Sequence, residues 1–106
     1  MTMYMVSTLE MRAGKDRERF VAAMHDVVAT VEGEGWKLLT AIEQITGRLH
    51  TAIDVWELPD LESFTRGLGA LRGHPRFPDI GAALAESIER ETVVLGVRAP
   101  WVPEGR

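Results

Sequence analysis

The stretch LHTAIDVWEL, residues 49–58, brings an imidazole, a carboxyl and an indole into one alternation. In a β-strand His50, Ala52, Asp54 and Trp56 fall on one face, and Thr51, Ile53 and Val55 on the other. A carboxyl in mid-strand is costly to bury alone, so Asp54 is expected to face a cavity or to pair across an interface. An imidazole titrates near neutrality and can act as a general base. What faces His50 depends on the hairpin closed by TGR (46–48). A two-residue loop sets Glu43 opposite His50 and Lys37 opposite Trp56. A three-residue loop sets Gln44 opposite His50 and Thr40 opposite Asp54. In the first register His50 is a base oriented by a carboxylate; the plainer alternative leaves it at the hairpin end, in water. No metal site is expected. His50 and Asp54 would lie about 13 Å apart at ~3.4 Å per strand residue, too far to share an ion, and Glu43 with His50 supplies only two ligands.

Other side chains can shape a site around these two. Trp56, Trp36 and Tyr4 are candidate walls, the tyrosine with a hydroxyl to offer. His74, in the loop GHPRFP with Arg72 and Arg76 beside it, is a candidate contact to an anionic ligand, though turn geometry accounts for that stretch equally well. His25 falls on the polar side of a helix. Arg98 has Glu57 and Glu10 as possible partners. Trp101, between Pro100 and Pro103, reads as a plug that docks the tail on a groove or on a partner subunit. Three of the five methionines share one face of the first strand, which suits either an ordinary core or a wall for a flat apolar ligand.

The elements that must position these groups follow from periodicity. MYMVSTLEM (3–11) is a strand with no strongly polar face, hence central in a sheet. Phe20, Met24, Val27, Val28 and Val31 make one stripe of a helix over 16–32, ended by EGEG. WKLLTAIEQI (36–45) and LHTAIDVWEL are the second and third strands. Asp60 caps a helix carrying Leu61, Phe64, Leu68 and Leu71, and a loop (72–79) leads to a further helix with Ile80, Ala83, Leu84, Ser87 and Ile88 inward. ETVVLGVR (91–98) is the last strand. The order β-α-β-β-α-α-β is a ferredoxin-like α+β fold with its second helix broken in two. It puts the helices on one face of a four-stranded antiparallel sheet. The other face must then be covered, and a second copy is the simplest cover.

Bulk properties narrow the classes. A length of 106 residues suits one domain, here 1–99 followed by an irregular tail, 100–106. The net charge of −4 and the lack of a basic stripe argue against nucleic acid. There is no cysteine, so thiol chemistry and disulfides are excluded. No apolar run approaches a membrane span and no signal peptide is read, so a soluble cytoplasmic protein is expected.

Tyr4, the MRAGK turn (11–15), GWKLLT (35–40), Gly47 and DVWELPD (54–60) together resemble the NIPSNAP-like members of the dimeric α/β-barrel superfamily, over roughly residues 3–97. The family's first strand usually alternates acidic, arginine and tyrosine positions; Met5, Ser7 and Leu9 stand there instead, which implies a greasier interior. The resemblance implies a homodimer with an organic ligand held inside the barrel or between sheet and helices. It also implies cofactor-independent chemistry, such as cyclisation, isomerisation or oxygenation of a hydrophobic or aromatic, polyketide-like molecule. His50 and Asp54 are the expected proton-transfer groups, with Trp56, Trp36, Tyr4, Glu43 and His74 around the ligand. The alternative is a non-catalytic homodimer that binds a ligand or another protein. Haem chemistry ranks last, because the asparagine of that branch is missing from a sequence without any asparagine. The His50–Trp56 face is expected to look into the barrel or cleft, and the Thr51–Val55 face to pack on the helices.

Overall fold

In a computed structural model, which describes residues 1–106, four strands and three helices build a slab only 18 Å thick, one sheet with one layer of helices on it. The elements are β1 (Met3–Met11), α1 (Arg17–Glu32), β2 (Lys37–Glu43), β3 (Thr51–Leu58), α2 (Glu62–Arg72), α3 (Phe77–Ser87) and β4 (Ile88–Gly96). All strand pairs are antiparallel, in the order β2-β3-β1-β4. β1 is central, as its two apolar faces predict.

Local chemistry explains the helix starts. Asp16 accepts the Arg19 backbone N–H at 3.0 Å and caps α1. Asp60 does the same for α2 through the Ser63 N–H at 2.7 Å, although the helix proper opens two residues later. At the other end of the helix layer, the Arg12 guanidinium donates to the carbonyls of Ala85 and Ile88 at 3.0 and 2.9 Å, satisfying the last turn of α3.

The hairpin differs from both expected forms. Ile42 faces Ile53, Ala41 faces Asp54 and Thr40 faces Val55; Leu39 is then bulged out, and beyond it Leu38 faces Trp56 and Lys37 faces Glu57. The last rung is Gln44 N–H to the Thr51 carbonyl, 2.8 Å. The loop therefore runs over 45–50, and His50 opposes neither Glu43 nor Gln44. His50 has φ +58°, a left-handed conformation that ends the strand. Its carbonyl still accepts the Met11 N–H at 2.8 Å, so the backbone continues the ladder while the side chain is exposed.

The expected face assignment is half corrected. Met5, Ser7 and Leu9 of β1 and Asp54, Trp56 and Leu58 of β3 are buried under the helices. The Thr51–Val55 face does not pack on the helices: it belongs to the open side of the sheet with Val6, Ile42 and Val94, all exposed. The strand's pleat permits only one of the two faces inside, and the bulky indole and Leu58 win it. β4 also starts earlier than predicted, directly from α3. One core cluster gathers Met5, Val31, Trp36, Trp56 and Leu58; a second, Ala23 with Ile80 and Ala83, joins α1 to α3.

Candidate functional site

The two core clusters do not meet. Between them, under β1, β3 and β4 and over α1, α2 and α3, lies a cavity of about 560 Å³, large enough for a small organic molecule. Its helix side is apolar: Met24, Val27 and Val31 of α1, Phe64, Leu68 and Leu71 of α2, and Leu84 of α3. Trp36 and Trp56 close one end. Their rings meet edge to face at 5.6 Å, and Phe64 stacks on Trp36 at 5.8 Å. The Trp36 Nε1–H donates to the Ser63 carbonyl at 2.6 Å, which fixes the ring. Gly67 allows this arrangement: a Cβ there would lie 2.5 Å from the indole.

The sheet side carries the polar groups. Asp54 on β3 faces Ser7 on β1, and Ser7 faces Val93 on β4. Glu91 lies two residues back along β4, on the same pleat face, at the exposed rim. The Ser7 hydroxyl donates to the Glu91 carboxylate at 3.1 Å. Asp54 is 6% exposed and lines the cavity, yet no protein group hydrogen-bonds to its carboxyl and no cation pairs with it. Burial first, and the charge of Glu91 second, push its pKa above the ordinary carboxylate range. A carboxyl whose pKa is raised in this way, facing a cavity with apolar walls, is suited to proton transfer.

The structure brings Asp54, Trp56 and Trp36 together and leaves four expected site residues outside the cavity. Tyr4 lies on the open sheet face and donates to Glu57 at 3.2 Å. His74 is part of a turn, its Nδ1 accepting the Arg76 N–H at 3.0 Å, while Arg76 pairs with Asp26 at 2.8 Å. Turn geometry accounts for that loop, and Arg76 is engaged. Glu43 is exposed and pairs with Arg17, whose hydrogen bond holds the Glu43 carboxyl below its usual range. His50 and Glu43 line a separate groove of about 360 Å³ between the β2–β3 loop and the start of α1. Asp54 lines the cavity under the sheet and His50 this separate groove, so the geometry gives no support to the expected pair. Arg98 donates to the Pro103 carbonyl at 2.9 Å rather than pairing with Glu57 or Glu10. Trp101 is 83% exposed and plugs no groove of its own chain.

Sequence reasoning missed Ser7 and Glu91 as site residues. Ser7 read as a lost polar position, and Glu91 as the edge of a strand. The signal was their phase: Ser7 alternates with Met5 and Leu9, and Glu91 with Val93 and Leu95, so each is a polar residue on an otherwise apolar face.

No protein-family model matches the chain. No curated protein matches it in sequence either. Solved structures do match it. An uncharacterized NIPSNAP domain protein from Burkholderia xenovorans superposes with a TM-score of 0.75 at 20% identity, over 96% of this chain and 99% of that one. SnoaB, a cofactor-independent oxygenase from Streptomyces nogalater, superposes at 0.73 and 15% identity, over 97% and 98% of the two chains. A dimeric ferredoxin-like protein of unknown function from Bacteroides fragilis superposes at 0.57 and 15% identity, over 90% and 94%. The chain thus has the ferredoxin-like fold of solved NIPSNAP proteins, and one structure with that fold is a cofactor-independent oxygenase. No helix is long and apolar enough to cross a membrane.

Proposed function

We propose that this chain is a NIPSNAP-like, cofactor-independent enzyme of the dimeric α/β-barrel type. Its substrate is a hydrophobic or aromatic small molecule bound in the cleft between sheet and helices. The observation that carries the reading is Asp54: a buried carboxyl without a protein partner, opening onto an apolar cavity. A protein gains no stability from such a group, so its place in the wall fits a role toward a ligand. In its ionised form Asp54 takes a proton from the substrate. For an isomerisation or cyclisation it returns that proton at another atom, with no net loss. An oxygenation in addition consumes dioxygen: one oxygen atom enters the product, and the other leaves as water with the two hydrogens of the oxidised carbon. The likeness to SnoaB supports this class of chemistry. His50 has no part in this proposal.

The same reading includes a homodimer. Val6, Ile42 and Val94 leave the open sheet face apolar, Ile42 and Val94 being 52% and 58% exposed. A second sheet packed on it would remove that surface from water. The dimeric Bacteroides fragilis neighbour supports this. A cytoplasmic location accords with a cysteine-free chain. A homodimer that binds a ligand without transforming it is the competing reading, and it shares the same cavity.

Native mass spectrometry of freshly purified protein, followed by denaturing extraction, tests the proposal. A dimer that carries a small apolar molecule is expected. A monomer would remove the dimeric-barrel assignment, and a dimer that takes up no aromatic molecule from solution would remove the cleft as a site.

A further inference from the structure

The cavity is apolar on its helix side and acidic on its sheet side, where carboxyl groups outnumber cations. Asp54 and Glu91 stand on one wall, two strands apart, with Ser7 between them. The ionisable groups that reach the cavity are Asp54 from β3 and Glu89, Arg90 and Glu91 from β4; α1, α2 and α3 contribute none. The one cation among them, Arg90, is drawn to Glu10 on the opposite face at 3.7 Å, and Arg48 pairs with the same Glu10 at 2.9 Å. Nothing in the chain therefore neutralises Asp54. An anionic ligand would add a further negative charge beside these carboxyl groups, which like charges disfavour. A neutral ligand could at best give the Asp54 carboxyl a hydrogen bond and would leave the excess negative charge of this wall unbalanced.

We propose that the molecule held in this cavity is a hydrophobic amine, bound as its ammonium between Asp54 and Glu91, with its apolar body against Trp56 and the helix side chains. The inference rests on the cleft reading above and narrows its substrate class. The aromatic end of the cavity suits the apolar body of the same ligand. The ammonium also has a chemical consequence. Its charge offsets that of Glu91 and favours the ionised form of Asp54, the form that accepts a proton. Binding then releases to solvent whatever proton Asp54 carried in the free protein.

Calorimetric titration at pH 7.5 with three probes of one shape tests this: 2-naphthylmethylamine, 2-naphthalenemethanol and 2-naphthoate. The amine is expected to bind at least about tenfold more tightly than the alcohol, with the carboxylate weakest. Asp54→Asn and Glu91→Gln are each expected to bring the amine down to the affinity of the alcohol. Alcohol binding by both variants serves as the check that the cavity is intact. Carboxylate or alcohol binding as tight as the amine would overturn the inference and leave the cleft reading standing. So would an amine preference that survives both substitutions. If none of the three probes binds, the cleft reading fails and the inference fails with it.

Discussion

Ser7 and Asp54 face each other across β1 and β3, yet the Ser7 hydroxyl does not serve Asp54: it donates to Glu91 at 3.1 Å. That choice leaves one carboxylate held and the other bare. A serine shared by two acids would have given Asp54 a hydrogen-bond donor; committed to Glu91, it leaves the buried carboxyl without one.

Asp54 therefore costs stability at neutral pH. Its folded pKa is raised, by burial and by Glu91, the acidic group that acts on it across the sheet. Below the unfolded carboxylate pKa both states hold the proton and nothing is lost. As pH rises from there through the folded pKa, the folded state resists ionisation and stability falls. Asp54→Asn is expected to raise Tm at pH 7.5, with each kcal/mol gained worth roughly 4–8 °C in a domain of this size. The gain should vanish near pH 3.5. Thermal unfolding at the two pH values measures it, and a lower Tm for the variant at pH 7.5 would contradict the account. This sign is opposite to that of an aspartate paired across an interface, which would weaken the dimer in acid.

Gly67 holds the aromatic end of the cleft open. The added methyl group of Gly67→Ala would lie 2.5 Å from the Trp36 ring, which is fixed by its bond to Ser63 and its stack on Phe64. Overpacking of this kind costs about 1–3 kcal/mol. A lowered urea midpoint and a changed near-ultraviolet circular dichroism of the tryptophans are expected. An unchanged spectrum would mean that the helix shifts without moving Trp36.

The open sheet face is the expected dimer contact. Val6 and Val94 pair across β1 and β4 there, both exposed. Val94→Asp places a charge on that face without touching the cleft, and it is expected to convert the proposed dimer to monomer at micromolar concentration. Light scattering coupled to gel filtration reads the mass directly. A variant that stays dimeric would put the subunit contact elsewhere.

His50 sits at φ +58°, where glycine is unstrained and histidine is not. His50→Gly is expected to keep or slightly raise stability, by up to about 1 kcal/mol, and to leave ligand affinity in the cleft unchanged. A tenfold loss of that affinity would return His50 to the site.

Much of the fold was legible in period alone. β1, α1 and the two-part second helix follow from apolar spacing, and the start of the second helix from Asp60 as its cap; that Asp16 caps α1 rather than opening it is seen only in the structure. The hairpin was not, because TGR looks like a tight turn while the actual loop runs over 45–50, with Leu39 bulged beside it. That slip moved His50 off the strand and parted it from Glu43. Asp54 and Trp56 survived the slip because strand phase, unlike register, depends on their own strand only. Glu91 escaped notice for the reverse reason: its partner Ser7 lies far away in the chain, and only the sheet order joins them.

The most direct test of the cleft uses the three tryptophans as reporters. Trp36 and Trp56 wall the cavity and Trp101 is exposed in the tail. In a titration of isotope-labelled protein with 2-naphthalenemethanol, the indole N–H resonances of Trp36 and Trp56 are expected to shift in a saturable way while that of Trp101 stays fixed. Saturable movement of Trp101 alone, or of none of the three, would contradict the claim that the space between sheet and helices is where this protein meets its ligand.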